Sequence, residues 1–353
     1  ATEESMSGEA APTVRERENA SIDDVFNVAK EAALLAGSHI RQAWWNFSKE
    51  RVDDDTSEEH RGKKATPNND SIIKDTKSSP CDLVTETDYQ CEQVILNHIR
   101  SKYPSHEIIG EESAGSNKYE LSTKPTWVID PIDGTTNFVH KLALSCVILA
   151  YIVEKEVKVG IVYDPIADEM FWAMKGRGAF LQRFASNVGR CGDSNEEEIT
   201  AATTYLPIPI HVSSTTSISK ALIATDPGYS REESDVNAYL SVQRELLLRK
   251  VRNIRTIGST GLNMAYVACG RLDACFEEGS WETNRGPKIW DFAAGVLLLS
   301  EAGGVTRDLG RTDMPTDAPL DLLGRSNFCA ATTDLAEEIM ECIKLCRQKA
   351  TFP

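Results

Sequence analysis

Acidic residues close several of the most apolar segments of this chain: Glu111 and Glu112 in IGEES, Asp130 and Asp133 in WVIDPIDGTTNFVH, and Asp291 in IWDFAAG. A carboxylate at the rim of a core costs several kcal/mol unless something compensates it. Lys and Arg are scarce in these segments, so hard divalent cations would balance the charge; Mg2+ takes oxygen ligands and keeps part of its water shell. In Asp-Pro-Ile-Asp-Gly, Pro131 fixes the backbone as the strand ends and Gly134 frees it to turn. Asp130, Asp133 and the Ile132 carbonyl can then converge on one volume, while the backbone N–H groups of Gly134 and Thr135 offer donors to an anion. The same fragment alone also fits an ordinary turn, with the first Asp capping and the Gly at positive φ. A calcium loop of the EF-hand type does not fit, because the alternate oxygens and the closing glutamate are absent.

Periodicity and turn residues predict the elements that carry these carboxylates. Ser21 and Asp24 open a helix whose apolar positions Val25, Ala29, Ala32, Ala36, Ile40, Ala43 and Phe47 recur at steps of three and four. The charged stretch at about 48–72 reads as an inserted surface loop. A helix over Tyr89–Ser101, strands at Glu107–Ile109 and Trp127–Asp130, and the runs ALSCVILAYIV, VKVGIVYD and DEMFWAM follow, the last three as an antiparallel meander packed on helices. Residues at about 186–220, polar and holding Pro207 and Pro209, read as a second insertion. Strands and helices then alternate: ALIATD, a helix near Val236–Lys250, RNIRTIG, a helix from Ser259, RLDACFEE, a helix from Asp291, a strand at Phe328–Thr332 and a last helix. The expectation is α/β with layered sheets, in lobes of about 21–190 and 191–353. Trp44 and Trp45 are expected to pack at a helix end, the six histidines, His140 included, to sit on the surface or cap, and Glu112 to cap or bind water. Cys269 and Cys275 read as small core residues, and the Glu196–Glu198 run as a solvated face.

The 353 residues are 41% hydrophobic, enough for a sizeable core, and carry a net charge of -16. Such a surface repels nucleic acid and anionic lipid, and no apolar run approaches the ~20 residues that span a bilayer. The polar residues 1–20 read as a disordered acidic tail. Nine cysteines without a CxxC pair point to reduced thiols in a cytoplasmic compartment.

GEES, WVIDPIDGTTNFVH and WDFAAGVLLLSEAGG, in that order, resemble the inositol monophosphatase family of Mg2+-dependent, lithium-sensitive phosphatases, and KSSPCDLVTETD, YPSHEIIGEES and IGSTGLNMAYVACGRLDA fit the same pattern. The resemblance covers about 21–350 and implies a layered α/β/α/β/α sandwich of the inositol monophosphatase / fructose-1,6-bisphosphatase type, assembled as a homodimer. It implies two to three Mg2+ per site, with ligands on Glu111, Asp130, the Ile132 carbonyl, Asp133 and Asp291. Phosphate contacts fall on Asp133, Gly134 and Thr135, and the ring-hydroxyl side on Gly258, Ser259, Thr260 and Glu277, with Glu111, Ile132 and Asp291 also facing the substrate. Asp88 matches the aspartate that bonds the motif threonine, here Thr135, and Lys77 matches a lysine near a third metal position. The implied reaction is hydrolysis of a small phosphorylated polyol, myo-inositol monophosphate first, by metal-activated water without a phosphoenzyme. Glu111, Thr135 and Asp88 would handle its proton.

Three departures bear on the substrate: the segment GSWETNRGPKIW is longer than the family's usual link, Thr260 is bulkier than the residue often there, and an insertion precedes Lys77. A 3′(2′),5′-bisphosphate nucleotidase, a fructose-1,6-bisphosphatase or another sugar phosphatase of the superfamily are the rivals, although TTNF favours the inositol branch. A catalytically silent, metal-binding relative acting as an interaction protein is a rival of another kind.

Overall fold

A computed structural model describes residues 21–53, 72–77, 82–114, 119–185, 203–280, 285–309 and 320–351. The acidic tail, most of the charged stretch and the Glu196–Glu198 run lie outside the described residues.

Helices α1 (Ile22–Asp53) and α2 (Glu86–Lys102) form the first layer, with a small antiparallel pair, β1 (Ile73–Thr76) and β2 (Leu83–Thr85), leading into α2. The three- and four-residue spacing of Val25, Ala29, Ala32, Ala36 and Ile40 puts all of them in one buried stripe, against Cys91, Ile95 and Ile99 of α2 and Trp127, Ile129, Leu149 and Ile161 beneath. Beneath lies the large sheet: β3 (Glu107–Gly110), β4 (Thr126–Asp133), β5 (Cys146–Val153), β6 (Glu156–Asp164), β7 (Glu169–Met174) and β8 (Ala179–Ala185) in that order, with β9 (Thr203–Thr204) and β10 (Ile208–Pro209) both on β8. One-turn helices α3 (Glu111–Ala114) and α4 (Thr135–Val139) follow β3 and β4. β3 and β4 are parallel, and the pairs from β4 to β8 are antiparallel. Every residue of β4 and β7 is buried, as in a sheet covered on both faces.

A second sheet has the order β12-β11-β13-β15-β14, from β11 (Leu222–Thr225), β12 (Asn253–Arg255), β13 (Ala274–Glu277), β14 (Val305–Arg307) and β15 (Asn327–Ala330). Its outer face takes α5 (Glu233–Leu248) and α8 (Thr333–Thr351), through Val242, Leu246, Ile339 and Ile343. Between the sheets lie α6 (Thr260–Ala268) and α7 (Ile289–Glu301), apolar almost all round because both sides meet a sheet. Their core also takes Val128, Ile148 and Val162 from the large sheet and Cys275 and Cys329 from the small one, so the two halves of the chain share it. The result is the expected α/β/α/β/α sandwich.

Several expectations need correction. The first helix runs on to Asp53, past the predicted loop start at residue 48. Residues 203–220 are not all insertion: β9 and β10 extend the large sheet, and Ile210 and Ile218 are buried. The helix predicted from Asp291 starts at Ile289. Trp44 packs inside, but Trp45, one residue on and about 100° round the helix, is 48% exposed. His106 is half-buried and engaged: its Nδ1 accepts from Trp127 Nε1 at 3.0 Å within a stack that includes Tyr103.

Candidate active site

Asp130 and Asp133 are three apart, and in a regular strand their side chains would leave on opposite faces. β4 avoids this with an irregularity in its register: Asp130 pairs with Ile148 and Asp133 with Cys146, so one residue on β4 is extra. That bulge restores parity and turns both carboxylates to one side. β3 runs parallel to β4 with Gly110 beside Ile129, which brings Glu111 alongside Asp130. Asp291 arrives from the first turn of α7, where its Oδ2 accepts the Lys288 N–H at 2.5 Å. One carboxylate oxygen from each of Asp130, Asp133 and Asp291 lies within 4.8 Å of the other two.

The charge of this cluster is poorly balanced by the described residues around it. Asp130 is 1% exposed, its Oδ1 takes the Ile132 N–H at 3.0 Å, and its buried Oδ2 meets no partner among the described residues. Burial, then Glu111, Asp133 and Asp291, push its carboxyl well above the ordinary range. Burial and the charge of Glu111 raise Asp291 to about 8. Asp133 is raised by burial only to about 6, because Ser259 Oγ (2.7 Å), the Gly261 N–H (2.7 Å) and Cys146 Sγ (3.6 Å) all donate to its Oδ2. Carboxylates that resist ionisation this strongly, with an unpaired buried oxygen among them, are the donor set a divalent cation needs.

Gly134 sits at φ 86, in the left-handed region, and a Cβ there would come 2.8 Å from the Leu144 carbonyl. Thr135 Oγ1 lies 3.1 Å from Asp88 Oδ1 and 3.0 Å from the Ile132 carbonyl. Asp88, fully buried, also accepts from the Thr85 N–H and hydroxyl, and burial raises it to about 6. Lys77 reaches both Glu111 (2.8 Å) and Glu112 (2.7 Å); burial works against its charge, but the two glutamates outweigh it. Glu112 is thus an ion-pair partner as well as a residue whose N–H caps onto Glu92 Oε2.

The second sheet supplies the opposite wall. Ser259 caps α6, accepting the Leu262 N–H at 3.3 Å while it donates to Asp133. Thr260 Oγ1 donates to Glu277 Oε2 at 3.2 Å; Glu277 ends β13 and is raised to about 8 by burial and then by Asp226. Gly258 N–H donates to Asp226 Oδ1 at 2.9 Å. Asp226, Asn137, Arg325 and Tyr229 escape the sequence reading. Asn137 Nδ2 ties the carbonyls of Leu144 and Ile257, linking the α4 turn to the strand before Gly258. Arg325 donates to the Gly286 and Pro287 carbonyls just before α7. Asp226 carries a signal that could have found it, since it closes ALIATD as Asp130 closes WVID.

A five-layer sandwich that gathers buried carboxylates from both sheets and an inner helix defines a class of phosphoric monoester hydrolases, and comparison with known proteins narrows the class. The model of the inositol monophosphatase family matches residues 21–348. Inositol monophosphatase 3 of Solanum lycopersicum is 37% identical over 309 residues, spanning 87% of this chain and 92% of that protein. Inositol monophosphatase 1 of Homo sapiens is 37% identical over 270 residues, 76% of this chain and 84% of that one. The structure of inositol monophosphatase from Anabaena superposes with a TM-score of 0.62 at 26% identity, covering 92% and 96% of the two chains. The Thermotoga maritima structure, 24% identical with a TM-score of 0.65, shares the fold over 93% of this chain and 99% of its own. This chain belongs to the inositol monophosphatase family and is a phosphatase.

Proposed function

We propose that the chain hydrolyses a phosphomonoester of a small polyol, myo-inositol monophosphate to myo-inositol and phosphate, in a Mg2+-dependent reaction. The observation that carries this is the meeting of Asp130, Asp133 and Asp291 oxygens within 4.8 Å around the unpartnered Asp130 Oδ2. Glu111, Asp130, the Ile132 carbonyl, Asp133 and Asp291 would hold two ions, with a third position near Lys77. When bound, magnesium supplies the charge that neutralises phosphate oxygens and acidifies water. The phosphate would lie on Asp133, Gly134 and Thr135, and the alcohol half on Gly258, Ser259, Thr260 and Glu277. Thr135 Oγ1, held between Asp88 and the Ile132 carbonyl, would relay a proton from the attacking water, with Glu111 as a second acceptor. No aspartate serves as a covalent nucleophile in this scheme. The partner is a small phosphorylated substrate rather than nucleic acid or membrane; no helix among the described residues is long and apolar enough to cross a bilayer. We place the protein in the cytoplasm as a homodimer.

The test is phosphate release from inositol 1-phosphate, adenosine 3′,5′-bisphosphate and fructose 1,6-bisphosphate, with and without Mg2+ and Li+. Preference for the inositol ester, Mg2+ dependence and Li+ inhibition support the reading. Preference for either bisphosphate moves the chain to a rival branch, and no Mg2+-dependent release on any ester revives the silent relative.

A further inference from the structure

The segment 226–232 leaves the carboxyl end of β11 and enters α5, and both of its ends are tied to pocket walls. At one end Asp226 accepts from the Gly258 N–H at 2.9 Å and from Asn263 Nδ2 at 2.7 Å. At the other, Ser230 Oγ donates to Asp235 Oδ2 at 2.5 Å, while Asp235 Oδ1 pairs with Arg285. Arg285 belongs to the lengthened link before α7, where Ser280 and Arg285 form an antiparallel bridge. Through Arg285 the described end of the long link therefore braces this segment. Gly228, at φ 61, lies against Glu277: a Cβ there would stand 3.4 Å from Oε1.

Tyr229 comes next. Its side chain is 49% exposed, yet its phenol lies in the field of Asp82, Glu111, Glu277 and Asp291 and meets no hydrogen-bond partner among the described residues. With Gly228 against Glu277, the half-exposed ring of the next residue stands beside Glu277. Burial and those carboxylates push the phenol well above its usual range, so at neutral pH it keeps its proton and can donate.

We infer that Tyr229 is a specificity residue for the alcohol half of the substrate, a ring polyol, packing its aromatic face on the ring and bonding a ring hydroxyl across the pocket from Glu277. This rests on the phosphatase reading above. Acceptors on Glu277 and Asp226 match hydroxyl donors, whereas a second phosphate on this side would face carboxylates. A site built to hydrogen-bond a substrate hydroxyl discriminates against an analogue lacking it.

The test compares wild type, Tyr229→Phe and Tyr229→Ala, full length with Mg2+, on myo-inositol 1-phosphate and on glycerol 2-phosphate, which lacks the ring. Loss of one hydrogen bond in Tyr229→Phe should raise KM for the inositol ester about 3- to 10-fold with little change in kcat. Tyr229→Ala should raise it further, by about 10-fold or more, as the aromatic contact is lost as well. Glycerol 2-phosphate constants should stay within about twofold in both variants. Equal changes on both esters, or an unchanged KM for the inositol ester, overturn the inference. A wild-type enzyme that cleaves glycerol 2-phosphate but not inositol 1-phosphate overturns the substrate reading itself, and the inference with it.

Discussion

At the scale of single residues, the site is a set of carboxylates that the fold makes reluctant to ionise. Asp130→Asn or Asp291→Asn should lower Mg2+-dependent phosphate release by about two to three orders of magnitude, the usual loss when one electrostatic stabiliser is removed. Near-wild-type turnover in either would refute the ligand assignment. The same variants should melt higher than wild type in EDTA, since each removes a charge from an uncompensated cluster. A pH dependence follows. Asp133 and Asp291 titrate near 6 and 8 in the folded chain, against about 4 in an unfolded one. A raised folded value means the native state holds protons that the unfolded chain has released, so their contribution is full below about pH 4 and is lost as pH climbs through 6 and 8. In EDTA the urea midpoint should fall from pH 5 to pH 8.5, and Asp291→Asn should flatten the upper part of that fall. An equal slope in wild type and variant would contradict it.

At the scale of elements, the geometry depends on how closely α7 seats on the large sheet. Gly160 of β6 faces the Ala294 backbone, and a Cβ there would stand 2.8 Å from its carbonyl oxygen and 3.0 Å from its Cα. Neither contact can be relieved by a side-chain rotation. Gly160→Ala should therefore cost about 1–3 kcal/mol, read from chemical denaturation, as overpacking of a tight core does. Because α7 carries Asp291, the same variant should weaken Mg2+ binding measured by calorimetry, although no ligand has been touched. Unchanged affinity in a destabilised variant would show that the helix seats independently of the site.

At the scale of the whole molecule, the two halves of the chain meet at the carboxyl ends of two parallel strand pairs: β3 and β4 deliver Glu111 and Asp130, while β11 and β13 deliver Asp226 and Glu277. A cation bound there links elements from distant parts of the sequence and is absent from the unfolded chain. Saturating Mg2+ at about 100 times its dissociation constant should add about 2.7 kcal/mol to stability, visible as a rise in melting temperature. No shift would mean that the cluster does not hold the ion.

Much of this was legible in the residues. Carboxylates at the ends of apolar runs, the Pro and Gly that frame them, and the period of each helix are local features, and local sterics and burial write them directly into the order of residue types. Trp45 was misread, and the stack around His106 missed, because exposure and contacts depend on what another segment places opposite, and the chain continues past residue 48 as helix where charge alone suggested a loop. Only the tertiary structure could decide that a bulge turns Asp130 and Asp133 to the same side, that Ser259 and Gly261 hold Asp133, and that Arg285 braces the segment bearing Tyr229. Those contacts join residues 50 or more positions apart, or count one extra residue in a register, and neither can be read from spacing along a single strand.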